Sequence, residues 1–485
     1  MSAALRTDAS APSSAAAGDT SGASAPAGPT AVLAAFTAGL RHDDLPMPVR
    51  ERVKDILLDS LASAIAGRAG DETAQIGALA GALGRSDEAT LLTGGGSSLA
   101  GAALTNAYLV TAVTVCDVHR PTLFHTTPQV VPPALAIAER EGCSGQALLT
   151  AIAAGLEVSV RVARAMDYPE FRRRGWHSPG VVGPFGGAAA AGSLLGLNAG
   201  RQCHAFALAG SQSAGTFAHW GTPTIKFHQA RGSLSGLMAA LLAAEGFRAS
   251  AEILAHPDGG LFNAYANGGL PGEVTGGLGE TWKLEELALR RWPAGSSLQA
   301  MITALFALVE GQGVQAAGVA RVRIGLSKAV YDMHGTLPWS DKFKALLSAP
   351  YIASIILHDR CCWLDQFLPA RYADPAVDAF TRGRVRVEAD ASLAGNAASV
   401  EITMADGRVL REARSEALGD PGNPLDRAQI VGKLQEAAAG WFDPATTARV
   451  AALVDRLEDL GDVRELMAIF RAGRDSDSET ASRPR

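Results

Sequence analysis

The chain has 485 residues, of which 47% are hydrophobic and 19% are charged, so its length predicts two or three domains, or one large domain with an insertion. Its 43 basic and 49 acidic side chains give a net charge of −6, which argues against a dedicated nucleic-acid binder, since such proteins normally carry a basic excess. The same composition excludes an intrinsically disordered protein, a collagen and a disulfide scaffold.

The cysteines and the two ends of the chain indicate the cellular compartment in which the protein is expected. None of the five cysteines belongs to a Cys-x-x-Cys pair, which predicts no metal site and free thiols in a reducing, cytoplasmic compartment. Residues 1–29 are rich in Ala, Ser, Pro and Gly and, like residues 474–485, are predicted to be disordered, with no signal peptide. We predict no stretch long and apolar enough to span a membrane, so no membrane partner is expected.

Residues 30–280 are predicted to form the first part of a helical domain. The stretch MPVRERVKDILLDSLASAIAG has Pro48 near its start, an apolar stripe that includes Val53 and Leu57, and Gly67 at its end. Further stretches, such as GQALLTAIAAGLEVSVRVARAM and GSLSGLMAALLAAEGF, are apolar on a wide face and contain many small residues. Such helices pack against several neighbours, which predicts a compact all-α arrangement.

The pattern changes near Trp282, and residues 281–416 are predicted to form a smaller α+β domain. Alternating polar and apolar residues predict strands over 318–325, 383–390 and 398–414. The last of these contains Ala405-Asp406-Gly407, a sequence typical of a hairpin turn. Helical patterns lie on both sides of the first strand.

The chain returns to helical patterns in residues 417–473. The stretches LDRAQIVGKLQEAAAG and PATTARVAALVDRLEDL are predicted to be helices that dock back onto the first helical part. The predicted fold class is therefore mainly α: a large, discontinuous all-α domain with the smaller α+β domain inserted as a lid.

Several familiar catalytic motifs are missing from the sequence. It contains no Walker loop, no Rossmann fingerprint, no His-Glu-x-x-His and no Gly-x-Ser-x-Gly nucleophile motif. The glycine groups at 94–96 and 259–260 lack the strand-to-helix context of a phosphate loop, so they are interpreted as turns. No nucleotide or metal cofactor is therefore indicated.

Three polar segments, each directly before a predicted helix, concentrate histidines and cations. The helix after the first segment is predicted to begin near Pro132. Such junctions favour anions, because a helix N-terminus carries partial positive charge. Taken singly, each of these side chains could be a cap or part of a solvated turn; taken together, they indicate one anion-binding active site. The segments contain Asp117, His119 and His125; Arg172, Arg173, Arg174 and His177; and Lys226, His228 and Arg231.

An ordered series of motifs resembles the MmgE/PrpD family, which includes 2-methylcitrate dehydratase, cis-aconitate decarboxylase and an iminodisuccinate epimerase. The resemblance covers about residues 31–472. The matching motifs are KDILLDSLASAIAG, Asp117 with His125-x-x-Pro128-x-x-Val131-Pro132, Trp176-His177-Ser178-Pro179-x-x-Val182-Gly183, Ala209-Gly210-Ser211, Lys226-Phe227-His228, Gly246-Phe247 followed by Ile253-Leu254, Arg290-Arg291-Trp292-Pro293-Ala294, Lys344-Ala345-x-x-Ser348-x-x-Tyr351, Ala405-Asp406-Gly407-Arg408 and Gly422-Asn423-Pro424-Leu425.

The resemblance implies a helical domain with an inserted lid, an active site between them, a homodimer and no metal or organic cofactor. In the decarboxylase branch a histidine follows the Ala294 position, where this chain has Gly295, and the family lysine lies one position earlier than Lys226. The resemblance implies these catalytic residues: His125, His177, Lys226, Asp117 and Tyr331. The residues predicted to bind substrate are Arg290, Arg291, His228 and His119.

These residue types suit a small di- or tricarboxylate. Lysine and arginine neutralise carboxylates as fixed charges, and histidines move protons near neutral pH. The common step is proton transfer at carbon next to a carboxylate. The leading hypothesis is a cofactor-independent lyase, a dehydratase of the 2-methylcitrate type or a related decarboxylase. The alternatives are an isomerase that epimerises such a carbon and a non-catalytic helical binding protein.

Overall fold

The computed structural model describes residues 28–474, and helices make up most of this range. Gly28, Pro29 and Arg474 were assigned to the predicted disordered ends, but Pro29 is the first residue of a helix. The other residues of both predicted ends, 1–27 and 475–485, lie outside the described residues. Helices predominate as the composition and periodicity predicted, and the strands are few.

Helices are the main regular structure of residues 28–275, which also contain one two-stranded ribbon of two-residue strands. Short 3₁₀ turns join several elements. In chain order the elements are α1 (Pro29–Gly39), α2 (Met47–Ala66), α3 (Thr73–Leu83), β1 (Ala89–Thr90), β2 (Gly96–Ser97), α4 (Leu99–Thr111), α5 (Thr127–Glu141), α6 (Gly145–Ala165), α7 (Tyr168–Arg173), α8 (Ser178–Val181), α9 (Gly183–Leu194), α10 (Ala199–Gly210), α11 (Thr224–Ala244), α12 (Leu261–Ala266) and α13 (Gly272–Thr275).

The remaining described residues alternate helices with strands and then end in helices. These elements are α14 (Gln299–Gln312), β3 (Val319–Leu326), α15 (Lys328–His334), α16 (Lys342–Ala345), α17 (Ala349–Asp359), α18 (Pro369–Tyr372), α19 (Pro375–Arg384), β4 (Val385–Ala389), β5 (Ala398–Met404), β6 (Val409–Arg414), α20 (Arg427–Ala438), α21 (Pro444–Asp455) and α22 (Arg464–Ala472).

Small residues let the central helices of the first part approach closely. A Cβ added at Gly236 on α11 would lie 2.6 Å from the carbonyl oxygen of Pro184 and 2.8 Å from Cα of Gly187 on α9. Only glycine allows two helix backbones to come this near. Helix α6 is long and apolar enough to span a membrane by length and composition, which corrects the expectation that no stretch would be, but 89% of that window is buried inside the structure.

A four-stranded sheet with the order β4-β3-β5-β6 forms the centre of the second part. Strand β4 runs parallel to β3, and the other neighbours are antiparallel. Helices α14 and α17 cover one face of the sheet, and the predicted turn at 405–407 joins β5 to β6. The sheet and these helices share a hydrophobic cluster that runs from Trp292 to Ala417.

The C-terminal helices return to the first part of the chain. Helix α20 packs against α2, and one hydrophobic cluster includes Leu57 of α2 and Leu434 of α20. The buried ammonium group of Lys433 on α20 pairs with the buried carboxylate of Asp59 on α2. The boundaries predicted at residues 281 and 416 stay predictions.

Two helices begin earlier than predicted, so some of the predicted site residues lie on helices and not in loops. Helix α5 begins at Thr127 and not near Pro132, so both Pro132 and Pro133 lie inside it. Helix α11 begins at Thr224, and the third polar segment therefore forms its first turns instead of a loop ahead of it.

Candidate active site

A network of hydrogen bonds before α5 fixes the ring of His125. The carboxylate of Asp117 accepts hydrogen bonds from the backbone N–H groups of Thr126 and Thr127, at 2.8 and 3.0 Å, and from both threonine hydroxyls. These bonds satisfy N–H groups that a helix leaves free in its first turn. His125 Nδ1 lies 2.6 Å from the carbonyl oxygen of Asp117. Since a carbonyl only accepts, Nδ1 carries the hydrogen and Nε2 does not.

The environment of His125 keeps its ring neutral. Burial lowers the pKa of His125 to about 4, and the positive charge of Arg290 acts in the same direction. A neutral ring with an unprotonated Nε2 can accept a proton from a bound molecule.

His177 is buried immediately before α8 and pairs with a second histidine. Its Nδ1 lies 3.1 Å from Nδ1 of His228 on α11, so one ring donates a hydrogen bond and the other accepts it. Burial lowers the pKa of His177, and the neighbouring His228 lowers it further. His228 was predicted to bind substrate, but it lies behind His177 and does not line the cavity described below.

Lys226 and Arg290 are buried cations, and their hydrogen-bond partners within residues 28–474 are uncharged groups. Lys226 Nζ donates to the carbonyl oxygen of Ala112 and lies 4.8 Å from the ring centroid of Phe343. Arg290 donates to the carbonyl oxygens of Cys116, at 2.6 Å, and Ala294, at 3.2 Å. Within residues 28–474 no carboxylate forms an ion pair with either side chain. Burial lowers the pKa of Lys226 to about 8, so it is mostly protonated at pH 7.

These four side chains, His125, His177, Lys226 and Arg290, line one cavity of about 100 Å³. Its walls come from residues between 111 and 229 in the first helical part and from residues between 290 and 347 in the second part, so both parts of the chain contribute to the cavity. It presents two neutral histidines and two cations within mostly apolar walls. The other lining residues are Thr111, Thr114, Leu123, Phe217, Trp220, Ile225, Gln229, Gly295, Ser296, Ser297, Met333, His334, Phe343 and Leu347.

Two predicted residues of the first segment do not reach the cavity. Asp117 uses its carboxylate to cap α5 and does not line the cavity. His119 is buried between Thr122 and Glu286, with Nδ1 2.7 Å from the threonine hydroxyl and Nε2 3.0 Å from the carboxylate. Both side chains have structural partners in this arrangement.

Arg291 and Tyr331 also lie away from the cavity lining. Arg291 donates to the carboxylate of Glu436 at 2.8 Å and lies over the ring of Trp363. It lines a separate cleft of about 890 Å³ that none of the predicted histidines reaches. Tyr331 packs against the hydrophobic cluster that runs from Trp292 to Ala417.

Among the polar lining residues that the sequence analysis missed are His334 and Gln229. His334 lies three residues after Tyr331 on α15. Because the family resemblance implied a catalytic role for Tyr331, the sequence could have drawn attention to His334 as well. Gln229 follows His228 directly, and nothing local distinguished it. Its Oε1 atom is buried and has no hydrogen-bond partner in the part of the chain that the structure describes.

No group of three or more His, Cys, Asp or Glu side chains within residues 28–474 is arranged to hold a metal ion. The side chains that the cavity offers are those of acid–base catalysis and anion binding.

Comparison with known proteins identifies the family. The sequence profile of the MmgE/PrpD N-terminal domain matches residues 31–272, and that of the MmgE/PrpD C-terminal domain matches residues 292–459. The chain therefore belongs to the MmgE/PrpD family, and the resemblance found in its motifs is confirmed.

Curated relatives match along most of the chain. A cis-aconitate decarboxylase-like protein, oryM, of Aspergillus oryzae is 27% identical, with 91% of this chain and 97% of the relative covered. A cis-aconitate decarboxylase of Aspergillus terreus is 26% identical, with 91% and 96% covered. The human cis-aconitate decarboxylase is 24% identical, with 76% and 79% covered.

Proposed function

We propose that this protein is a lyase that removes carbon dioxide from a small di- or tricarboxylate without a metal or organic cofactor. One observation carries the proposal: the buried cations Lys226 and Arg290 have no carboxylate partner among the described residues and line a cavity with two neutral histidines. A buried charge is costly unless it is paired, so a polyanionic ligand is the natural counter-charge. The names of the relatives make cis-aconitate the first substrate to test.

We assign carboxylate binding to the two cations and proton transfer to the histidines. Lys226 and Arg290 bind carboxylates and stabilise the negative charge that develops on carbon when the bond to the departing carboxylate breaks. A bound polyanion also favours the protonated forms of His125 and His177. A protonated ring can then give its proton to that carbon, and it regains a proton from solvent. The net reaction consumes one proton and releases one carbon dioxide.

Dehydration of a hydroxy acid such as 2-methylcitrate is the second candidate, because of Gln229. Its unpartnered Oε1 is an acceptor that a substrate hydroxyl would satisfy. In this reaction a neutral histidine takes a proton from carbon next to a carboxylate, and a protonated histidine gives a proton to the leaving hydroxyl. The carbon–oxygen bond breaks, water is released, and no net proton is consumed.

Turnover assays distinguish these reactions. We expect purified protein to release carbon dioxide from cis-aconitate, followed as trapped carbon dioxide together with a change in the absorbance of the alkene, which the product retains with one carboxylate fewer. New alkene absorbance from citrate or 2-methylcitrate without gas would identify the dehydratase instead. Assays in D₂O cover the isomerase, which would introduce deuterium into a substrate of unchanged composition. Absence of all these changes with every substrate would overturn the enzymatic proposal and leave a binding protein.

The pH dependence tests the role of Lys226. We expect kcat/KM to fall as the pH rises through about 8, because Lys226 loses there the positive charge that binds a carboxylate. Lys226→Arg is the matched variant, since arginine stays protonated, and it should move this fall above about pH 10. Initial rates at low substrate concentration over pH 6–10 give both profiles. An alkaline limb that is the same in both proteins would contradict the assignment.

We also propose a domain arrangement, an oligomeric state and a cellular location for this protein. The cavity is lined both by residues between 111 and 229 and by residues between 290 and 347, which supports a role for residues 281–416 as a lid over a discontinuous helical domain. A homodimer and a cytoplasmic location are the arrangements that we expect for this protein.

A further inference from the structure

His334 ends α15 with its ring on the cavity lining and no charged partner. Its Nδ1 lies 2.8 Å from the carbonyl oxygen of Leu347. Because that oxygen can only accept, Nδ1 carries the hydrogen and Nε2 keeps a free lone pair. No hydrogen-bond partner for Nε2 is found between residues 28 and 474. His334 as a whole is only 2% exposed, and its ring lies edge-on to Trp220, with the ring centroids 5.9 Å apart.

The ring of His334 packs more closely against Gly295 than a side chain at that position would allow. A Cβ at position 295 would lie 3.0 Å from Cε1 of His334 and 3.2 Å from Cδ2 of Leu347. Contacts this short require the imidazole or the leucine to move, and the bond from Nδ1 to the carbonyl of Leu347 restrains the ring. Even alanine at 295 would therefore compete with the imidazole for its place beside the cavity.

We propose that His334 is a third catalytic histidine of this cavity, which contacts the substrate through Nε2, and that Gly295 is the positioning residue that makes room for its ring. The inference rests on the proposed function. In the reaction, Nε2 takes up a proton from solvent and gives it to the carbon that loses carbon dioxide, and the next solvent proton restores the ring. The bond from Nδ1 to Leu347 stays in place, and no further reactant is needed.

The environment of His334 is consistent with this role. Burial lowers the pKa of His334 to about 4, so the free cavity holds a neutral ring. A polyanion bound against Nε2 favours the protonated form, as it does for His125. The group can therefore change its protonation state within the reaction cycle.

Variants at both positions test the proposal. We expect His334→Ala to lower kcat/KM about 100-fold, the scale of one general acid–base group. Added imidazole should restore about tenfold or more of that loss by entering the vacated space, which a merely structural role would not allow. Gly295→Ala should lower kcat/KM in the native background and add little in the His334→Ala background, because both changes act on the same ring.

The outcomes separate this inference from the proposed function. If the native protein turns over no polycarboxylate, both fail. If the native protein is active and Gly295→Ala or a folded His334→Ala keeps full activity, only the role of His334 is overturned. A folded, impaired His334→Ala protein without imidazole rescue also overturns it. If His334→Ala does not fold, as judged by circular dichroism, the activity of Gly295→Ala decides the question.

Discussion

His125→Gln is expected to reduce kcat by about 10²- to 10⁴-fold, the largest single loss of activity that we predict for this protein. The hydrogen bond from Nδ1 to the carbonyl oxygen of Asp117 leaves Nε2 as the atom that exchanges a proton with substrate. Glutamine keeps comparable size and hydrogen-bonding capacity, but it neither gains nor loses a proton near neutral pH. The loss should therefore appear in kcat more than in KM.

The measurement is steady-state turnover of whichever polycarboxylate the native protein consumes, with the thermal midpoint recorded alongside. His256→Gln is the matched control, because His256 bonds to the backbone of Asp258 and does not line the cavity. We expect that control to keep native activity. A folded His125→Gln protein with native kcat would remove His125 from the chemistry.

The fold could be predicted where a local chemical feature decides the structure. Helix α2 ends at Ala66, directly before the predicted Gly67, and the turn at 405–407 joins two strands as its sequence indicated. Helix α5 was misplaced because its cap is not local. The carboxylate of Asp117, ten residues before Thr127, caps its first turn, and no pattern within the helix reveals that contact.

The candidate site was predictable as a set of segments but not side chain by side chain. Arg290 and Arg291 are adjacent, yet the first lines the cavity and the second pairs with Glu436, because consecutive side chains point in different directions. The resemblance indicated Tyr331 on α15, whereas the structure brings His334, one turn later, to the cavity. Which side chain faces the cavity depends on tertiary packing, which the sequence alone does not give.

A buried ion pair connects the C-terminal helices to both the core and the site. Lys433 on α20 pairs with Asp59 on α2, and both side chains are fully buried. The same Nζ donates to the carbonyl oxygens of Val115, at 2.7 Å, and Arg290, at 2.9 Å. One ammonium group thus joins α20, α2 and the backbone next to the cavity. Removing one partner of such a pair leaves a buried charge without compensation.

Lys433→Met is therefore expected to lower the free energy of unfolding by about 3–5 kcal/mol, the largest stability loss that we predict. Asp59→Asn in the same chain should recover a substantial part of it, because the amide removes the uncompensated charge. Urea unfolding followed by circular dichroism measures each variant. Lys328→Met is the control, since Lys328 forms an exposed pair with Asp332, and its loss should cost less than about 1 kcal/mol. Equal losses for Lys433→Met and Lys328→Met would show that the buried pair does not hold the C-terminal helices in place.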